Sequence, residues 1–84
     1  MIIAVDQHSD RLADAKTFGA THLINASTGD TSAEIRKLTA GIGVDYAFEA
    51  IGLKQTIEQA YDCLAKRGVA TVVGIPPVGM EITI

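Results

Sequence analysis

Three short segments hold the residue types that could do chemistry. The first is Asp6, directly after the apolar run Ile2–Val5. A carboxylate at the tip of such a run can accept hydrogen bonds from ribose hydroxyls, and its charge repels a 2′-phosphate. The same residue type is also common as a turn or helix-capping Asp. The second segment is Phe48-Glu49-Ala50-Ile51-Gly52. Its small and apolar residues leave room for a flat ligand, although a plain turn using the backbone freedom of Gly52 has the same look. The third is Val73-Gly74-Ile75-Pro76-Pro77. Glycine at a strand tip lets backbone approach a ligand closely, and the two prolines stiffen the loop; a rigid exit loop without a ligand would use the same residues.

Other kinds of site find no support. His8, His22 and Cys63 do not stand at metal-ligand spacing, and a catalytic zinc takes about three protein ligands. A Tyr with a Lys four residues on is missing, because Tyr46 is followed by Ala50 and Tyr61 by Ala65. Ser9, Ser27 and Ser32 have no base arranged beside them. Gly41-Ile42-Gly43 precedes a strand, and position 46, where a third glycine should be, is Tyr46. That segment reads as a helix-to-strand loop and not as a phosphate-binding turn.

The elements that must position these residues alternate along the chain. β-branched, apolar runs at Ile2–Val5, His22–Ile24, Val44–Phe48 and Val69–Val73 predict strands buried on both faces. Between them lie three stretches with helical spacing. The first, Arg11–Phe18, has Leu12, Ala15 and Phe18 on one side and Gly19 as its stop. The second opens with Thr31 and Glu34 at capping-box spacing, turns Ile35 and Leu38 inward and ends at Gly41. The third carries the stripe Leu53, Ile57, Ala60, Tyr61 and Leu64, with Lys66 and Arg67 at its carboxyl end before Gly68. This β-α-β-α-β-α-β order predicts an α/β fold with a parallel sheet and right-handed crossovers.

Composition agrees. The 84 residues are 48% hydrophobic and 20% charged, ordinary for one small globular domain. A net charge of −3 without a basic cluster argues against nucleic acid or an anionic membrane as partner. No apolar run reaches the length of a membrane span. Cys63 is the single cysteine, so no internal disulfide forms, and a buried filler in a reducing, cytoplasmic setting is the expectation.

Taken together, IIAVDQHSDRLADAKTFGATHLINAS, GIGVDYAFEAIG and GVATVVGIPP resemble the coenzyme domain of the medium-chain, zinc-type alcohol dehydrogenases over essentially the whole chain. The resemblance implies a Rossmann fold, a nicotinamide coenzyme and, in the parent family, zinc and homo-oligomers. It implies that Asp6 holds the adenosine ribose, with preference for NAD, and that Arg11 also touches that ribose. Ile51 would flank the adenine, and Val73, Gly74 and Ile75 would lie beside the nicotinamide. Glu49 takes a structural or indirect role.

The glycine-rich turn of a dinucleotide site should lie about 20 residues before the ribose acid, here upstream of Met1. The chain is therefore expected to be a partial dinucleotide-binding domain without the catalytic zinc lobe and inactive by itself. It would supply the equivalents of strands 2, 3, 4 and 5 but not the central strand 1. Ile2–Val5 and Val44–Phe48 would each lose a neighbour unless they pair with one another. Unpaired buried backbone groups cost about 1–3 kcal/mol each, against a total stability of about 5–15 kcal/mol, so a marginal chain is expected. The other readings are a non-catalytic nucleotide-binding or dimerising module, and a truncated relic.

Overall fold

The computed structural model describes residues 1–73. Seven elements stand in this order: β1 (Ile3–Asp6), α1 (Ser9–Thr17), β2 (His22–Asn25), α2 (Thr31–Leu38), β3 (Val44–Glu49), α3 (Lys54–Asp62) and β4 (Leu64–Val72). The α/β alternation is the expected one. All the pairing is parallel, but it forms two two-stranded sheets: β1 with β2, and β3 with β4. Among the described residues β1 and β3 do not pair, so each keeps an edge without a ladder partner.

The chain divides into two compact units, Met1–Glu34 and a second that begins at Ile35. In the first, α1 packs on β1 and β2, and Leu12 and Ile24 are buried. Gly19 closes α1 with a left-handed φ of 114°. The Ala20 N–H returns to the Ala15 carbonyl and the Gly19 N–H to the Lys16 carbonyl. That pair of bonds satisfies the last orphan carbonyls of the helix. Phe18 does not join the core as its spacing suggested. It caps the helix carboxyl end and is 89% exposed.

In the second unit α3 packs on β3 and β4, and Ile57, Ala60, Ala47, Ile35 and Cys63 are buried. Arg36 ties this unit together by donating to the carbonyls of Gly41 and Asp62 at 3.2 and 2.8 Å. Gly41 and Gly43 both have positive φ in the loop between α2 and β3, so the glycine pair serves a turn.

Three local expectations give way. Thr31 does not cap α2; Asp30 does, its carboxylate accepting the Ala33 N–H at 3.2 Å. An Asp one residue earlier satisfies the same orphan donors. The third helix stops at Asp62, with Cys63 as its cap, and Leu64 pairs with Val44 in β4. Lys66 and Arg67 thus lie within β4, where the register shifts and Arg67 takes φ 66°. The strands are also not covered on both faces: Tyr46 and Phe48, two residues apart on one face of β3, are 69% and 73% exposed. No helix among the described residues is long and apolar enough to cross a membrane.

Candidate functional site

Each predicted site residue in the described part stands at or just beyond the carboxyl end of a parallel strand, the edge where open α/β sheets take ligands, or on the helix after it. Asp6 is the last residue of β1, and its backbone carbonyl accepts the Ala26 N–H. One carboxylate oxygen, Oδ1, accepts the His8 N–H at 2.9 Å, which turns the chain into α1. The other, Oδ2, lies 4.0 Å from Nη1 of Arg11 in the first turns of α1. The Asp6 side chain keeps 27% of its surface and that of Arg11 68%. Such an exposed, long pair is worth about 0–1 kcal/mol, so it leaves both groups free to turn to a ligand. Carboxylate oxygens accept more than one hydrogen bond each, which is what a pair of ribose hydroxyls needs.

In the second unit the end of β3 is organised by Glu49. Its side chain is buried, and Oε1 accepts the N–H groups of Ile51 and Gly52 and the hydroxyl of Thr56. Oε2 is buried without a partner. Gly52 turns the chain at φ 86°, and Ile51 projects with 58% of its surface exposed. Val73, just past β4, gives its N–H to the Glu49 carbonyl at 2.6 Å. Glu49 therefore joins Ile51 and Val73 in one hydrogen-bonded group, and Asp6 and Arg11 form another. Gly74 and Ile75 lie outside the described residues.

The sequence suggested an indirect role for Glu49 without revealing how it acts, and gave Thr56 no role at all. A Glu two and three residues ahead of the donors at 51 and 52, with Thr56 in the next helix, is the local signal for both.

The described residues do not fit a catalytic zinc. They contain no group of three or more His, Cys, Asp and Glu side chains able to hold a metal, and Cys63 is buried with its thiol on the Ala60 carbonyl. Burial pushes that thiol's pKa up, against weaker opposing pulls from its backbone hydrogen bond and from Arg36. Native Cys63 should accordingly react with an aromatic disulfide reagent about a hundredfold more slowly than in urea, the factor a ~2.7 kcal/mol opening imposes. Equal rates in the two conditions would show an accessible thiol.

Known dehydrogenases carry the same arrangement of elements. The chain is 37% identical over 76 residues to a probable alcohol dehydrogenase from a Pseudomonas species, a match covering 90% of this chain and 24% of that protein. An alcohol dehydrogenase zinc-binding domain protein from Burkholderia ambifaria superposes with a TM-score of 0.93 at 46% identity, over 99% of this chain and 22% of the other. Benzyl alcohol dehydrogenase from Acinetobacter calcoaceticus gives 0.92 at 42% identity, over 99% and 23%. The chain thus spans about a quarter of the length of these relatives. The family profile for zinc-binding dehydrogenases matches residues 1–84. With the parallel βαβ units and these matches in agreement, the chain belongs to the zinc-binding dehydrogenase family.

Proposed function

We propose that this chain is part of the coenzyme-binding domain of an NAD-dependent, zinc-type alcohol dehydrogenase, supplying the adenosine-ribose and nicotinamide sides of the site. The observation that carries the reading is Asp6, a partly exposed carboxylate at the carboxyl end of β1 with acceptor capacity to spare and Arg11 beside it. In this reading Asp6 accepts the ribose hydroxyls, Arg11 steadies the same sugar and Ile51 covers one side of the adenine. Val73, Gly74 and Ile75 line the nicotinamide. A bound nicotinamide coenzyme supplies or accepts the hydride. The residues here bind and orient it, while zinc and the alcohol belong to a lobe contributed by other residues. The relatives' alcohol dehydrogenase activity suggests an alcohol or aldehyde as substrate. A cytoplasmic homo-oligomer is the setting in which we place it.

Calorimetric titration with NAD and NADP tests this. Asp6→Ala should weaken NAD roughly 10- to 150-fold, the equivalent of ~1.5–3 kcal/mol for hydrogen bonds to a charged acceptor. It should weaken NADP far less, because it also removes a charge that repels the 2′-phosphate. Equal loss for both coenzymes, or no loss for NAD, would sink the assignment. Should the unaltered chain bind neither, as a partial domain without the glycine-rich turn would, the same titration is made on the longer protein that carries the turn, and failure there leaves the dimerising or relic reading.

A further inference from the structure

Glu49 is a buried carboxylate that the coenzyme reading leaves without a task. It is 4% exposed, in a strand where an apolar residue would be the ordinary occupant, and burying a carboxylate costs free energy unless its charge is met by donors. Oε1 meets three of them, the N–H of Ile51, the N–H of Gly52 at 2.7 Å and the Thr56 hydroxyl at 3.1 Å, which it shares with the Leu53 carbonyl. Oε2 meets none. All of the side chain's hydrogen bonding is thus concentrated on one oxygen and largely on one turn.

A plain helix cap would be arranged differently. Helix α3 begins after Leu53, whose side chain makes no capping bond, and a cap accepts from the first N–H groups inside the helix. Glu49 instead takes the two N–H groups ahead of it, those of Ile51 and Gly52. Its own carbonyl takes the Val73 N–H. One residue therefore fixes two backbone points that the coenzyme reading places on the adenine and nicotinamide sides.

We propose that Glu49 is a positioning residue for coenzyme: its Oε1 locks the Ile51–Gly52 turn in the shape that presents Ile51 to the adenine ring. This rests on the coenzyme reading above. Glu49 itself touches no ligand, and its buried carboxylate is retained for geometry. Such support matters because a binding group displaced by even about 1 Å loses much of its contribution.

The test measures NAD affinity and the hydrogen exchange of the Ile51 and Gly52 amides in the unaltered protein, Glu49→Ala and Glu49→Gln, each held well below its melting temperature. In Glu49→Ala, NAD should bind at least about tenfold more weakly and both amides should exchange faster. The Gln carbonyl can accept the same bonds, so Glu49→Gln should stay within about threefold of the unaltered protein. If Glu49→Ala lowers only the melting temperature and binds NAD normally, the residue is merely structural and the proposal falls. Should Glu49→Ala fail to fold, Thr56→Val removes one donor alone. An affinity loss of about two- to fivefold then supports the proposal, and unchanged affinity overturns it. Failure of the coenzyme reading shows separately, as absence of NAD binding by the unaltered protein even when it carries the glycine-rich turn, before any variant is compared.

Discussion

Gly43→Ala should unfold this protein at far lower urea concentration than the parent, with a loss of about 2–6 kcal/mol. Two independent costs add. The φ of 92° at Gly43 lies where side chains rarely go, and such backbone costs about 1–3 kcal/mol. A β-carbon there would also stand 2.7 Å from the Ala65 nitrogen and the Leu64 carbonyl carbon, and 2.8 Å from the Cys63 oxygen. These are backbone atoms that cannot swing aside, and overpacking of this kind costs a further ~1–3 kcal/mol. The contact is tight because the Val44 N–H bonds to the Cys63 carbonyl at 2.9 Å, drawing the start of β3 against the end of α3. Gly41→Ala is the control: its φ is 81°, but nothing lies within 4 Å of the added carbon. It should lose only the backbone contribution, about 1–2 kcal/mol. Equal urea midpoints for the two variants would mean that the 63–65 backbone yields, contrary to the packing described.

The second large effect is expected at Ile57, which is 1% exposed and the most deeply buried large side chain among the described residues. It holds α3 against β3 and β4. Truncation to Ala removes its transfer free energy and leaves a cavity, for about 2–5 kcal/mol, while Ile57→Val should cost about 0.5–1.5 kcal/mol. A urea series on the two variants checks both the size and the order. A loss below ~1 kcal/mol for Ile57→Ala would show that the helix is not anchored there.

Apolar runs and helical spacing were enough to give the order of the strands and helices among the described residues, because elements that meet a core carry apolar residues in runs or at helical period. The boundaries obeyed other forces. The stripe Leu53, Ile57, Ala60, Tyr61, Leu64 continues smoothly in sequence, yet only Ile57 and Ala60 are buried in α3, and Leu64 is taken by pairing with Val44. A ladder bond to a residue twenty positions away leaves no local trace. Thr31 and Glu34 had capping spacing, but the helix already includes Thr31, so the cap falls to Asp30 just before it, whose carboxylate accepts the Ala33 N–H. Phe18 looked like core and became the cap of α1, 89% exposed, because the helix ends there and Gly19 turns away with a φ of 114°. Of the candidate site, the placement of its residues at strand ends was legible from their order: Asp6 after one run, Ile51 and Gly52 after another, Val73 at the end of a third. The way Glu49 is used was not, because it depends on which way the turn at Gly52 folds its two N–H groups.

The register of the strand pairs has a consequence for synthesis. Ile3 pairs with His22 and Asp6 with Asn25, each nineteen positions apart, whereas the Ala47–Ala70 pair joins only near the other end of the chain. At roughly 5–20 residues per second on the ribosome, the first pair can close several seconds before β4 has emerged. Closure of so short a loop takes well under a millisecond. For those seconds the β1–β2 pair can stand complete by its own ladder, with Val5 and Leu23, 36% and 40% exposed in the finished structure, on its surface. A nascent chain arrested before β3 should therefore already carry this first strand pair.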